Sequence, residues 1–301
     1  MALTVAIVGD ALFDVTLVPT EPIRPGGDVP ATVRLGAGGQ GANLAVRLAR
    51  RGAAARLACG LGADVAGRLL REALDADGVV VLAVAVPATG AVAVLLGAGG
   101  ERTMLSQRAP FVDGVDLEGV VVDADWLAVS GYALLEPGAV QFARCCATLP
   151  VRLAVLGCDL PASRVVDWRE TLAAARPDLV VLNAREAAAL GPDHGGGATP
   201  GAALADELGA LVVVTAPGEV TASGLGLRLV VDTPAEEPAP ADTTGAGDAF
   251  AAALIVSLGA AWPPGGDEVQ AALSVAVGVA REVVDVPGAQ APVPGERVAP
   301  A

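Results

Sequence analysis

The sequence predicts an α/β fold in which a doubly wound, mostly parallel sheet is flanked by helices, with a small β-sheet lid beside it. Short, continuous apolar segments alternate along the chain with segments of helical periodicity. Continuous hydrophobicity is typical of strands covered on both faces, as in a parallel sheet. Strand and helix segments in alternation are the order that builds a doubly wound sheet.

The predicted strands and helices follow from this periodicity. The strands of the main sheet are expected at residues 4–8, 56–60, 126–130, 153–159, 179–183 and 211–215. The helices are expected at residues 41–51, 65–76, 138–148, 162–175, 201–208, 245–258 and 267–284.

Two regions interrupt the alternation. Residues 11–36 and 87–106 contain strand-like pieces with no helix between them. Such pieces cannot join a parallel sheet through helical crossovers, so we expect them to form a small separate sheet that acts as a lid. Residues 1–301 are otherwise expected to form a single domain. The Pro- and Ala-rich tail after about residue 292 is expected to fray.

Composition excludes several classes of protein. The net charge of −15 argues against a nucleic-acid partner, which needs a basic face. All 19 basic residues are arginine, so a Walker A lysine, a protein-kinase strand lysine and a Schiff-base lysine are all excluded. His194 is the only histidine, which argues against a catalytic triad or a histidine metal site. No apolar run reaches the ~20 residues of a membrane span, so we expect a cytoplasmic protein without a membrane partner.

The first of two glycine-rich bends is GAGGQGAN at residues 36–43. It satisfies G-x-G-x-x-G through Gly36, Gly38 and Gly41, and Asp64 follows at about the distance of a ribose-binding acid. This pattern predicts a dinucleotide-binding loop, but a strand-to-helix turn that needs positive φ gives the same pattern. Both interpretations stay open.

The second bend is DTTGAGDAF at residues 242–250, directly before a predicted helix. Free amides at a helix N-terminus and the helix dipole attract an anion, and small residues let a phosphate approach the backbone. Asp248 stands in the first turn, where a carboxylate is electrostatically stabilised. A simple acidic N-terminal residue is the alternative interpretation.

Both bends resemble signatures of one family. DTTGAGDAF resembles the C-terminal signature of the ribokinase-like (PfkB) carbohydrate kinases, and GAGGQGANLAVRLARRG resembles their N-terminal signature. Further matches follow in chain order: VGDALFD, GERTML, VSGYALL, NARE and PGAQAPVP. The resemblance covers nearly the whole chain. It implies a ribokinase-like fold and a phosphotransferase that uses ATP and Mg²⁺ to phosphorylate an alcohol group.

The resemblance also implies roles on the phosphate side. Asp248 is the expected catalytic base, and the backbone at Gly245, Ala246 and Gly247 is the expected anion hole for the transferring phosphate. The helix dipole and Mg²⁺ would then supply the positive charge that a lysine supplies in other phosphate-binding sites.

The N-x-x-E and nucleotide-site segments extend this side. Asn183 and Glu186 match the family's N-x-x-E, which organises magnesium and phosphate, with Glu186 reaching the metal through water. Thr215 and Gly218 lie in the segment expected to bind the nucleotide. Pro217 and Val220 stand there where relatives often have glycines, so the local ribose and phosphate contacts are open.

On the acceptor side, Asp14 matches the acid that binds acceptor hydroxyls. Gly38, Gly39 and Asn43 match the loop that closes over the sugar. A carboxylate and an amide suit vicinal hydroxyls, because together they accept and donate hydrogen bonds.

A monovalent-cation site is also implied. Asp242, Thr244 and the backbone of Gly288 resemble the loop that binds K⁺ in ribokinase. An N-capping role accounts for Asp242 and Thr244 equally well, so K⁺ activation is an open alternative.

The acceptor is not fixed by these motifs. A free sugar, phosphorylated on a hydroxymethyl group as by ribokinases and fructokinases, is the leading expectation. Gln40 and Leu12 replace a lysine and an asparagine that ribokinases place near the sugar, which leaves a nucleoside of the adenosine or pseudouridine type open. Arg102 and Arg108 do not by themselves assign an acidic substrate. A dehydrogenase using residues 36–41 and a non-catalytic sugar sensor are the remaining alternatives, and a homodimer through the lid is an expected partner arrangement.

Overall fold

The computed structural model describes residues 2–97, 102–191, 201–233, 245–284, 288–293 and 296. The strands in this part of the chain are β1 Thr4–Val8, β2 Leu12–Pro19, β3 Ala31–Gly38, β4 Ala54–Leu61, β5 Val80–Ala85, β6 Ala91–Leu96, β7 Arg102–Gln107, β8 Trp126–Ser130, β9 Arg152–Leu156, β10 Leu179–Asn183, β11 Leu211–Ala216, β12 Glu219–Gly224 and β13 Leu227–Asp232. The α-helices are α1 Gln40–Arg50, α2 Val65–Ala76, α3 Leu117–Val120, α4 Ala139–Cys146, α5 Val165–Ala175, α6 Ala184–Ala189, α7 Ala202–Leu208, α8 Ala246–Leu258 and α9 Gly266–Val284.

Nine strands form the main sheet, in the order β13-β12-β11-β10-β9-β8-β1-β4-β5. The pairs from β11 to β5 are parallel, and β12 and β13 add an antiparallel hairpin at one edge. The predicted doubly wound, mostly parallel sheet is therefore confirmed, and all six of its predicted strands are present with small shifts at their ends.

Two cores cover the faces of this sheet. One contains buried residues of α1, α2, α8 and α9, and the other contains buried residues of α4, α5 and α7. Alternate residues of β11 go to opposite cores, Val213 to the first and Val212 to the second. Helices on both faces explain why these strands are continuously apolar in sequence.

Three strands, β5, β12 and β13, and two short helices, α3 and α6, were not predicted from the sequence. The β12–β13 hairpin has a two-residue connection, Leu225-Gly226, in which both residues have positive φ (54° and 80°). Such a turn normally carries Asn-Gly or Asp-Gly. Because leucine occupies the first turn position, the sequence lacks the dipeptide that would predict this hairpin.

A second sheet has four strands in the order β3-β2-β6-β7. Its outer pairs are antiparallel and the central β2–β6 pair is parallel. The two regions predicted to form a small separate sheet are confirmed as its source, although β3 extends to Gly38. One face buries Leu12, Val92 and Val94.

Among the described residues, no helix is both long enough and apolar enough to cross a membrane.

Candidate active site

The carboxyl ends of the parallel strands bring together two predicted site residues, Asn183 and Thr215, and three residues that were not predicted, Asp10, Ser130 and Gly157. Asp10 follows β1, Ser130 ends β8, Gly157 follows β9, Asn183 ends β10 and Thr215 lies near the end of β11. In open parallel sheets, ligands bind in the crevice outside these strand ends. The two glycine-rich bends enter the same crevice through α1 and α8.

The N-terminus of α8 is open. Gly245 is its N-cap with φ 80°, and no side chain of the described residues caps the helix. A Cβ on Gly247 would meet nothing within 4 Å, and Gly247 is exposed. The first-turn amides of α8 therefore form a cradle that a phosphate could enter.

Asp248 lies in this first turn, half-buried, and is hydrogen-bonded to the N-terminal bend. Nδ2 of Asn43 donates to Oδ2 of Asp248 at 2.9 Å. The pKa of Asp248 is raised to about 7, mainly by burial and also by the nearby charges of Asp10 and Glu186. The hydrogen bond from Asn43 and the charge of Arg47 oppose this rise. Asp248 is thus a carboxylate of raised basicity with a donor fixed on one oxygen.

Asp14 lies on β2, opposite Gly36 of β3. Its Oδ1 atom is buried without a hydrogen-bond partner in the described structure. Burial, and then the charge of Asp10, raise the pKa of Asp14 to about 7, and Arg108 opposes this shift. A side chain at Gly38 would collide with the Asp14 carboxylate, so only glycine at this position lets the backbone lie next to that carboxylate. A buried acceptor atom without a partner is suited to bind a ligand hydroxyl.

Asp10 connects the small sheet to the main sheet. Nε of Arg108, directly after β7, donates to Oδ2 of Asp10 at 3.1 Å. The Arg108 guanidinium also lies over the Tyr132 ring, 3.7 Å from its centroid. Only 7% of Asp10 is exposed, so its ion pair with Arg108 is largely shielded from water.

Gln40 joins the N-terminal bend to two strand ends. Its Oε1 accepts from Oγ of Ser130 at 2.7 Å and from N of Gly131 at 3.1 Å. Its Nε2 donates to O of Gly157 at 2.7 Å. Gln40 therefore holds the bend to the ends of β8 and β9. It stands at the position where ribokinases often have a lysine.

Asn183 and Glu186 form a capping box at the start of α6. N of Asn183 donates to Oε2 of Glu186 at 2.8 Å, and N of Glu186 donates to Oδ1 of Asn183 at 2.9 Å. Burial raises the pKa of Glu186. The described residues contain no group of three or more His, Cys, Asp or Glu side chains that could hold a metal ion. One carboxylate fits Mg²⁺ only where substrate phosphates supply further ligands.

Thr215 and Gly218 flank the turn between β11 and β12. Thr215 is half-buried, and its Oγ1 donates to O of Leu182 at 3.4 Å. Gly218 is exposed with φ 87° and has open space around it. Val220 is buried in β12, so it does not face this turn.

The predicted monovalent-cation residues are only partly within the described structure. Asp242 and Thr244 lie outside the described residues. Gly288 is described, with φ 107°, and its O accepts from N of Ala291 at 3.0 Å.

The bend at residues 36–43 does not have the surroundings of a dinucleotide-binding loop. It follows β3 of the small sheet, whereas such a loop follows a strand of the parallel sheet. N of Ala42 already donates to O of Asp10 at 3.1 Å. The Asp64 carboxylate accepts from N of Gly67 and N of Thr89, both at 2.8 Å, so it caps α2.

Sequence reasoning missed three contacts of the site, those of Asp10, Gln40 and Gln290. The tail after about residue 292 was also expected to fray, and at residues 293 and 296, the part of this tail that the structure describes, this was wrong. Val293 is buried, and the Glu296 side chain is fully buried against Arg47. Asp10 could have been predicted, because it is a polar residue that closely follows a buried strand. The contacts of Gln40 and Gln290 are not predicted by any local sequence pattern.

Comparisons with known proteins agree with this fold. The pfkB family of carbohydrate kinases matches residues 2–296. A ribokinase from Thermotoga maritima has a TM-score of 0.75 and 21% identity, over 98% of this chain and 96% of that one. An adenosine kinase from Sinorhizobium meliloti has a TM-score of 0.76 and 20% identity, over 98% and 97%. A Cryptococcus neoformans ribokinase in complex with ADP has a TM-score of 0.72 and 20% identity, over 96% of each chain. No curated protein sequence matches the chain.

The fold thus defines a ribokinase-like α/β protein, in which Asp248 lies in the first turn of α8 and is hydrogen-bonded to Asn43. The chain belongs to the pfkB family of carbohydrate kinases, whose members are phosphotransferases.

Proposed function

We propose that this protein transfers the γ-phosphate of ATP to a hydroxymethyl group of an uncharged sugar, as ribokinases and fructokinases do. The observation that carries the proposal is the pairing of Asp248 and Asn43 at the uncapped N-terminus of α8. A base and an anion cradle in one helical turn suit a reaction that consists mainly of positioning and charge stabilisation.

Asp248 has the properties of the base. With a pKa of about 7 it is substantially ionised at neutral pH and holds a proton more strongly than an ordinary carboxylate. It would take the proton of the attacking hydroxyl as the oxygen forms its bond to phosphorus. The amides of Ala246 and Gly247 would then bind the equatorial oxygens of the transferring phosphoryl group.

Bound Mg²⁺ would supply charge neutralisation for the β- and γ-phosphates. Glu186 is the residue that would hold it, through water, because Oε2 of Glu186 is already bonded to the backbone of Asn183. Thr215 and Gly218 would line the nucleotide, and the open space around Gly218 leaves room for its ribose or phosphates.

The charges of the acceptor side favour a neutral acceptor. The charge of Asp10 acts on both Asp14 and Asp248. The cation beside them, Arg108, is already paired with Asp10 and stacked on Tyr132. An anionic acceptor would add charge to an acidic site, whereas hydroxyls could bind the unpartnered Oδ1 of Asp14. Gly38, Gly39 and Asn43 would close over the same ligand.

The small sheet is proposed to act as a lid over the acceptor and as a dimer surface. Its outward side chains include Val33, Leu35 and Leu105, which are 55%, 65% and 69% exposed. An exposed apolar sheet face of this kind is typical of an interface. Sedimentation velocity over a range of concentrations measures the oligomeric state, and a monomer at all concentrations would contradict the dimer.

The test of the function is a panel of sugars and nucleosides, adenosine among them, assayed by ADP release with and without K⁺. Asp248→Asn should lower kcat on the best acceptor by on the order of 10²–10⁴ with little change in ATP affinity. Near-normal turnover by this variant would show that Asp248 is not the base. Turnover of nucleosides only would move the acceptor to that class, and turnover unchanged by K⁺ would remove the cation site.

A further inference from the structure

A third side chain completes a hydrogen-bonded chain that ends on Asp248. Nε2 of Gln290 donates to Oδ1 of Asn43 at 3.0 Å. Nδ2 of the same Asn43 amide donates to Oδ2 of Asp248 at 2.9 Å. Gln290 is separated from Asn43 by 247 positions in sequence, so the contact exists only because the C-terminal segment returns to α1.

Two arginines of α1 fix the backbone that presents Gln290. NH2 of Arg47 donates to O of Ala289 at 2.8 Å, and NH1 of Arg50 donates to O of Gln290 at 2.7 Å. Arg47 is itself held by Glu296 at 2.8 and 3.0 Å, with both side chains fully buried. Arg50 is held by Asp77 at 2.7 and 2.9 Å. The two carbonyls on this segment are thereby tied to the helix that carries Asn43.

The two ends of an amide are chemically different, and this gives Gln290 a directional effect. Its NH₂ group can bind only the oxygen end of the Asn43 amide, which leaves the nitrogen end for Asp248. In the flipped orientation, Oδ1 of Asn43 would face the Asp248 carboxylate and two acceptors would be in contact. We infer that Gln290 is a positioning residue, which selects the Asn43 orientation that donates to the base. The inference rests on the proposed role of Asp248.

The charges around Asp248 show why one donor matters. Asp10 beside β1 and Glu186 on α6 both favour the protonated carboxyl, as does burial. Arg47 on α1 and the Asn43 hydrogen bond favour the ionised form. Because Arg47 is already neutralised by Glu296, the Asn43 amide is the group nearest to Asp248 that keeps it ionised.

Gln290→Met tests the inference, since it keeps the length of the side chain and removes the donor. We expect kcat to fall about 5- to 10-fold, the loss of one well-placed hydrogen bond. The acidic limb of the kcat–pH profile should move up by about half a unit to one unit, because an unfixed Asn43 stabilises the ionised Asp248 less. Gln290→Glu, which presents an acceptor to Asn43 and adds a negative charge, should shift the limb further. The matched control is Gln270→Met on the exposed face of α9, which should leave both quantities as in the unaltered protein.

A readout independent of turnover is the ¹³C NMR titration of the Asp248 carboxyl, assigned by its absence in Asp248→Asn. Its midpoint should rise in Gln290→Met. A merely structural role would lower the melting temperature or the active fraction and leave the pH limb and the midpoint in place, which would overturn the inference. If Asp248→Asn stays active, the proposed function fails instead, and the NMR midpoint alone then decides whether Gln290 acts on Asp248.

Discussion

The two glycine-rich bends look alike in sequence and differ in what surrounds them. Both begin a helix without a side-chain cap, at Gly39 with φ 93° and at Gly245 with φ 80°. In the first bend, a Cβ on Gly39 or Gly41 would lie 2.6 Å from backbone atoms of residues 9–10. In the second bend, a Cβ on Gly247 would meet nothing within 4 Å.

The difference separates two uses of glycine. The first bend uses its glycines so that protein backbone can pack on protein backbone, which holds Asn43 in place. In the second bend, a Cβ on Gly245 would likewise lie 2.8 Å from O of Ala289. Gly247, however, is exposed and a Cβ there would meet no described atom within 4 Å, which leaves room for a ligand beside the first-turn amides. A glycine in such a bend therefore marks a close approach, and only the structure tells whether the approaching group is the protein or a phosphate.

The largest expected effect is at the second bend. Gly247→Asp places a carboxylate in the proposed phosphate cradle, so kcat/KM should fall by on the order of 10²–10³. The melting temperature should not fall, because an acid near a helix N-terminus is favourable and the position is open. Gly278→Asp in α9, where a Cβ also meets nothing within 4 Å, is the matched control for activity. A Gly247→Asp enzyme with full activity would show that the cradle holds no phosphate.

The next effect is at the first bend and should appear in stability. A Cβ at Gly41 would lie 2.6 Å from the backbone of Gly9, which cannot move without shifting β1. Gly41→Ala should therefore lower the free energy of unfolding by about 1–3 kcal/mol, measured by urea denaturation. Gly278→Ala, at an open helical position, should raise it slightly because alanine favours helix. Equal effects of the two substitutions would mean that Gly41 is as open as Gly278 and that the first bend is not closely packed.

This contrast also shows which features of the protein could be predicted from its sequence. Six of the seven parallel strands were predictable because each is a local apolar run, whereas the edge strand β5 was missed. Asp248, Asn43 and Asp14 were predictable because they lie in recognisable segments. Gln40 and Gln290 were not, because their partners are 90 to 247 positions away. Arg47 has the sequence environment of an exposed helical arginine, yet its side chain is fully buried by Glu296, a residue of the tail expected to fray. Buried polar contacts of this range depend on tertiary structure and leave no periodic pattern.

The smallest expected effect concerns the contact of the first bend with Asp14. The folded state raises the pKa of Asp14 from 3.8 to about 7, so the protonated carboxyl favours folding at low pH and this contribution is lost as the pH rises through about 7. Asp14→Asn should therefore raise the melting temperature at pH 8 by about 2–4 °C, and by less at pH 5.5, where the natural carboxyl is largely protonated. Asp28→Asn, at an exposed position between β2 and β3, is the matched control and should show no such pH dependence. An increase of the same size at both pH values would mean that the buried, ionised carboxylate of Asp14 does not destabilise the folded state. The unpartnered Oδ1 of Asp14 would then be available to an acceptor ligand without lowering the stability of the protein.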